Sequence, residues 1–126
     1  MKINKYEDIK DVANEAKKDL IDRHSPFISV LKKPNTENEY QVEVKVGNEY
    51  THPDDLDHYV SSISLYAGTT KIADANFYSG TLGGQGRKGQ AKVVFDTVFE
   101  KSVKLTAHAY CTKHGVWEGE PVGVIV

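Results

Sequence analysis

Residues 40–47 read YQVEVKVG, and this stretch decides the fold class. Tyr40, Val42, Val44 and Val46 fall on one face of an extended chain, with Gln41, Glu43 and Lys45 on the other. A period of two marks a half-buried strand, because successive side chains of a pleated backbone point to opposite sides. Working outward, FISVLKK (27–33), YVSSISLYAG (59–68), TKIADANFY (70–78), AKVVFDTVF (91–99) and KSVKLTAHAYC (101–111) repeat the pattern with less regularity. The apolar tail PVGVIV (121–126) adds a last, short strand. Between them lie turn-rich or charged connections: PNTENE (34–39), HPDDLDH (52–58) and the Glu100–Lys101 turn.

Roughly seven strands separated by loops predict an all-β chain, an immunoglobulin-like antiparallel β-sandwich. Only the beginning departs from this. Ile9, Val12, Ala13, Ala16 and Leu20, spaced by three or four, predict one short amphipathic helix over 7–20. Pro26 forces Ser25 toward extended geometry and ends it. The expected organisation is an N-terminal helical segment, 1–21, followed by a β-sandwich domain, 22–126.

Composition narrows the function classes. A chain of 126 residues suits one domain with a core of its own. Sixteen basic against eighteen acidic residues leave a formal net charge of -2, with no general attraction to nucleic acid or an anionic membrane. No run reaches the roughly 18 apolar residues that span a bilayer, and the lysine-containing start lacks the apolar core of a signal peptide. The single cysteine excludes an internal disulfide and points to a reducing, cytoplasmic setting.

SGTLGGQGRKGQ (79–90) holds half of the ten glycines. It is no phosphate-binding loop, because GRKGQ leads into a strand where G-K-[ST] would have to open a helix. Arg87 and Lys88 read as a solvated loop tip.

The histidines and the cysteine carry the chemistry. By strand parity Val103, Leu105, Ala107, Ala109 and Cys111 share the buried face, while His108 points away. Gly115 lets the chain curl back after Cys111, so that a thiolate and His114 can reach one ion. C-x-x-H alone is weak, and a free cysteine is commonly a buried small hydrophobe. His52 and His58 bracket a proline-started loop, and His24 stands at the junction of helix and first strand. Each alone reads as a surface histidine; together they read as metal ligands. Structural zinc closes at four ligands and here has five candidates. A blue-copper centre lacks its axial methionine, since the single methionine is Met1. Iron with four imidazole nitrogens and an axial thiolate would keep a sixth position open and suit one-electron chemistry on a small oxygen species.

DRHSPFI (22–28), HPDDLDHYV (52–60) and YCTKHGVWEG (110–119) resemble the superoxide reductases: the neelaredoxins and the iron domain of the desulfoferrodoxins. The combined pattern H-x-P, H-P-x4-H and C-x-x-H-G-x-W extends through most of the chain from Asp22 onward. The resemblance implies a mononuclear non-haem iron held by His24, His52, His58 and His114, with Cys111 as axial thiolate. It implies reduction of superoxide to hydrogen peroxide, a rubredoxin-like electron donor, and a homodimer or homotetramer. With no cysteine in residues 1–21, the chain looks like the one-iron class.

One feature departs from the common family pattern, in which Glu-Lys usually stands where this chain has Asp22 and Arg23, although members without that pair are active. In the family that glutamate can close the sixth position of ferric iron, and the lysine adds charge beside it. Asp22 and Arg23 are therefore candidate catalytic residues together with Cys111. Asp22 is one methylene shorter, and Arg23 keeps its charge but does not readily donate a proton. Lys113 is a second steering charge. Two other classes stay open: another metalloprotein or electron carrier on the same scaffold, and a non-catalytic binding module with incidental histidines.

Overall fold

The computed structural model describes residues 2–80, 82 and 89–126. Arg87 and Lys88, read above as a loop tip, lie outside the described residues. The chain is mostly β-strand with one short N-terminal α-helix. In order the elements are β1 (Ile3–Lys5), α1 (Glu15–His24), β2 (Pro26–Lys32), β3 (Glu39–Val46), β4 (Val60–Ala67), β5 (Thr70–Asn76), β6 (Lys92–Val98), β7 (Val103–Cys111), β8 (Gly115–Glu118) and β9 (Val122–Val124).

They form two sheets. One runs β1-β8-β7-β4-β5, with β9 also paired to β7; the other runs β2-β3-β6. Pairing is antiparallel except for β1, which lies parallel to β8 with Ile3 opposite Val116. Neither β1 nor β8 is anticipated by the sequence pattern.

β3 alternates as its sequence requires: Tyr40, Val42, Val44 and Val46 are buried, and the three valines are fully so. They meet Val60, Ile63 and Leu65 of β4 and Leu105, Ala107 and Ala109 of β7 in one core shared by the two sheets. Each buried valine contributes about 1.5 kcal/mol or more. The imperfect alternation of β4 has a cause. Its register against β7 shifts between Val60 and Ser62, and that irregularity lets Val60 and Ile63 both face inward although three residues apart.

The helix lies further along than its apolar spacing predicts. Residues 9–11 make a single 3-10 turn capped by Asp8, and α1 starts only at Glu15. Asn14 decides this, because its side chain accepts from the Lys17 amide at 3.0 Å and satisfies a free donor of the first turn. Val12 precedes the helix and packs with Ile21 and Trp117 in a second, smaller cluster, so its burial needs no helix. Pro26 ends α1 as expected, with Ser25 extended at φ -82° and ψ 135°. Among the described residues no helix is long and apolar enough to cross a membrane.

Candidate metal centre

The last residue of α1 is His24, and the segment after β3 leads to His52. His58 stands just before β4, Cys111 ends β7, and His114 occupies the turn into β8. Gly115, at φ 82°, lets that turn close tightly enough for Cys111 to pair with Gly115 itself. The His58 loop is tied to the turn, since Thr112 donates its amide to the Tyr59 carbonyl and the Tyr59 amide donates to Thr112 Oγ1. At its other end Asp54 Oδ2 accepts from the amides of Gly80 and Leu82, both at 2.8 Å.

These connections bring the candidate ligands together. One ligand atom each from His24, His52, His58 and Cys111 lie within 4.8 Å of one another. His114 joins them: its Nδ1 is 3.1 Å from His24 Nε2 and 3.7 Å from Cys111 Sγ. All five side chains named from the sequence thus share one site, whereas His108 stands apart and pairs with Glu118.

Backbone carbonyls settle the ring orientations of two of them. His24 Nδ1 donates to the Leu20 carbonyl at 2.7 Å, and His52 Nδ1 to the Pro53 carbonyl at 2.7 Å. In the neutral rings each Nε2 therefore presents a lone pair, His24 toward His114 and His52 toward Cys111 Sγ at 3.1 Å. Burial holds His24 down to about 4 and His52 to about 3, so neither ring relieves the crowding by taking a proton at neutral pH. His58 is also pushed down, chiefly by burial.

His58 Nε2 decides the fit. It is buried and has no hydrogen-bond partner, a costly state for a polar atom. Lone pairs from several rings converging beside a sulfur make a donor set for a cation, and the residues present fit a transition-metal ion. Burial pushes the Cys111 thiol up, while the amides of Lys113 and His114 hydrogen-bond the sulfur and favour its anion. The carbonyls of Leu20 and Pro53 do for the rings what outer-shell partners do in metal sites generally. Sequence reasoning missed them. The Leu20 contact is an i, i−4 relation, visible only once the helix is known to reach His24.

Arg23 forks onto Asp19, Nε meeting Oδ1 and an η nitrogen meeting Oδ2 at 2.8 Å, and stays partly exposed. Its charge reaches the centre, where it opposes protonation of His24 and His52. Lys113 acts in the same sense on His58. Asp22, the other residue at the departure from the family pair, is held by backbone amides. It is 1% exposed, and its Oδ2 accepts from the amides of Asn48 (3.0 Å), Glu49 (2.8 Å) and Tyr50 (2.8 Å). A carboxylate oxygen so engaged is turned toward the backbone. Trp117 packs on the centre, as its position two residues after the Gly115 turn suggests, and its Nε1 donates to the His114 carbonyl at 3.2 Å.

Comparison with known proteins follows the same lines. The desulfoferrodoxin family model matches residues 13–120. The superoxide reductase of Pyrococcus abyssi is 31% identical over 103 residues, covering 79% of this chain and 85% of that one. Among solved structures, the superoxide reductase from Nanoarchaeum equitans superposes with a TM-score of 0.69 at 26% identity, covering 97% of this chain and all of that one. The reduced neelaredoxin from Archaeoglobus fulgidus gives 0.65 at 29% identity, covering 82% and 91%. Matched over most of its length and carrying His24, His52, His58 and Cys111 in one cluster, this chain belongs to the desulfoferrodoxin family.

Proposed function

We propose that the chain is a superoxide reductase, converting superoxide to hydrogen peroxide by adding one electron and two protons at a mononuclear non-haem iron. The observation that carries this reading is the buried, unpartnered His58 Nε2 facing a cluster of ring nitrogens and a sulfur. Iron would be held by Nε2 of His24, His52 and His58, Nδ1 of His114 and Sγ of Cys111. When bound, it supplies a one-electron couple and a position open to a small anion.

The chain's own groups do the rest. The Leu20 and Pro53 carbonyls hold two imidazoles in the tautomer that leaves Nε2 free. The amides of Lys113 and His114 stabilise the Cys111 thiolate. Arg23 and Lys113 draw the superoxide anion toward the histidines, since positive charge at a rim raises the encounter rate. Arg23 does not give up its proton, so proton delivery falls to other donors, water among them.

The wider reading rests on the family. It includes a rubredoxin-like electron donor, a homodimer or homotetramer, and a cytoplasmic setting. Two sheets sharing one core support the finer description of the fold as an immunoglobulin-like sandwich. In it 22–126 is the iron-binding domain and 1–21 its N-terminal segment, with α1 carrying across that boundary to His24.

The test is metal analysis of the purified chain together with peroxide yield after a pulse of superoxide. About one iron per chain and one peroxide per superoxide are expected. Stoichiometric zinc, or dioxygen released alongside peroxide, overturns the reading.

A further inference from the structure

Asp22 is a buried carboxylate on which three successive backbone amides converge. The amides belong to the turn that follows β3, and that turn is fastened to α1 at several points. The Gly47 amide donates to the Ser25 carbonyl at 3.0 Å. Tyr50 reaches back to Glu15 at the start of the helix, its hydroxyl 3.2 Å from Oε2. Gly47 has φ +85°, and a Cβ there would strike the Tyr50 carbonyl oxygen, so the turn fits the helix end closely. Gln90 closes the far side, its side-chain amide donating to the carbonyls of Val46 and Gly47.

The placement of Asp22 gives the nest a purpose beyond local packing. Asp22 is two residues before His24 on the same helix, and Tyr50 is two residues before His52. The two imidazoles meet edge to face, with ring centroids 4.8 Å apart and planes at 86°. Each is oriented by a carbonyl of its own neighbourhood, Leu20 for His24 and Pro53 for His52, which fixes a ring to its segment but not one segment to the other. The Asp22 nest supplies that link. Ionised acceptors form shorter and stronger hydrogen bonds, and three donors aimed at one oxygen set the position of the turn against the helix in three directions.

We infer that Asp22 is a positioning residue of the metal centre, locking the segment that carries His52 onto the helix that carries His24. The inference rests on the metal-centre reading above. It assigns to this carboxylate the geometry of two ligands and leaves the open position to other groups.

The test uses the full chain and cobalt(II), whose thiolate charge-transfer band reports the ligand set without any turnover. Affinity is measured by competition with a chelator for the wild type, Asp22→Ala, Asp22→Asn and the core variant Val42→Ala, and each apo protein is unfolded by heat. Asp22→Ala should bind cobalt at least about tenfold more weakly, the size of loss that follows removal of an outer-shell partner. Its band should shift. Asp22→Asn, which keeps an oxygen acceptor of the same reach, should recover part of the affinity, and it serves alone if Asp22→Ala does not fold. Val42→Ala should lose melting temperature and keep both affinity and band. If the Asp22 variants lose no more affinity than Val42→Ala and show an unaltered band, the role is only structural and the inference is overturned. A wild type that takes up cobalt without a thiolate band sinks the metal-centre reading itself, and the inference with it.

Discussion

The indole of Trp117 lies nearly parallel to the imidazole of His24, with ring centroids 5.1 Å apart and planes inclined by 22°. The same indole donates Nε1–H to the His114 carbonyl. One side chain thus supports two candidate ligands from opposite ends of the sequence. It also belongs to the small core cluster with Val12 and Ile21, and is 6% exposed.

Removing it should damage fold and centre together. Trp117→Ala should cost about 3–5 kcal/mol in urea unfolding of the apo protein, the usual range for emptying a large aromatic site. Trp117→Phe should retain most of the packing but lose the Nε1 bond, at about 1 kcal/mol. Equal losses for the two variants would mean that the hydrogen bond, not the ring, carries the stability.

Replacing Cys111 by serine should preserve the strand pairing, since the residue ends β7 and its replacement is smaller and still able to hydrogen-bond. The sulfur-to-iron charge-transfer band should vanish, and superoxide reduction with it. Full peroxide yield from Cys111→Ser would remove the thiolate from the chemistry.

Arg23→Gln removes a charge near the centre without setting a second carboxylate beside Asp19. The bimolecular step with superoxide should slow several-fold, and its dependence on ionic strength should flatten. A rate and salt slope equal to wild type would transfer the steering to Lys113.

Protons and metal compete for the same atoms. With His24 held at about 4 and His52 at about 3, both rings are neutral at pH 7, whereas the raised Cys111 thiol keeps its proton. Metal uptake at pH 7 should therefore release about one proton from the cysteine, read by calorimetry in two buffers of different ionisation enthalpy. In the apo protein the sign runs the other way from a stabilising cation. The folded pKa values of both histidines lie below the ordinary 6.5, so the unfolded chain binds more protons as pH falls. Stability should fall from about pH 6.5 down to about 4 for His24 and about 3 for His52, by on the order of 1.4 kcal/mol per pH unit for each ring. A flat profile across that window would mean the rings are not buried in the apo state.

The strands that build the core are legible because a half-buried strand must alternate, and β3 does so through its whole length. β1 and β8 are not. Three residues, INK, and four, GVWE, are too few to show a period, and their partners are set by pairing across the whole chain. The helix is misplaced from its apolar spacing because Val12 and Ile9 reach the Trp117 cluster from outside it, while Asn14 sets the true start. The five ligand candidates are readable from residue type, since imidazole and thiolate are scarce and their chemistry is specific. The direction of Asp22 is not readable. It depends on three amides more than twenty positions away, and backbone donors leave no mark in a sequence.

The parallel pairing of Ile3–Lys5 with Val116–Glu118 has a consequence for biogenesis. A contact spanning so much of the chain closes a very large loop and forms only after the intervening strands have been made. The turn bearing His114 is braced by that pairing, so a chain in which these two strands have not met has no finished cage to offer an ion. Metal taken up per chain should then report how many molecules in a preparation have closed that loop.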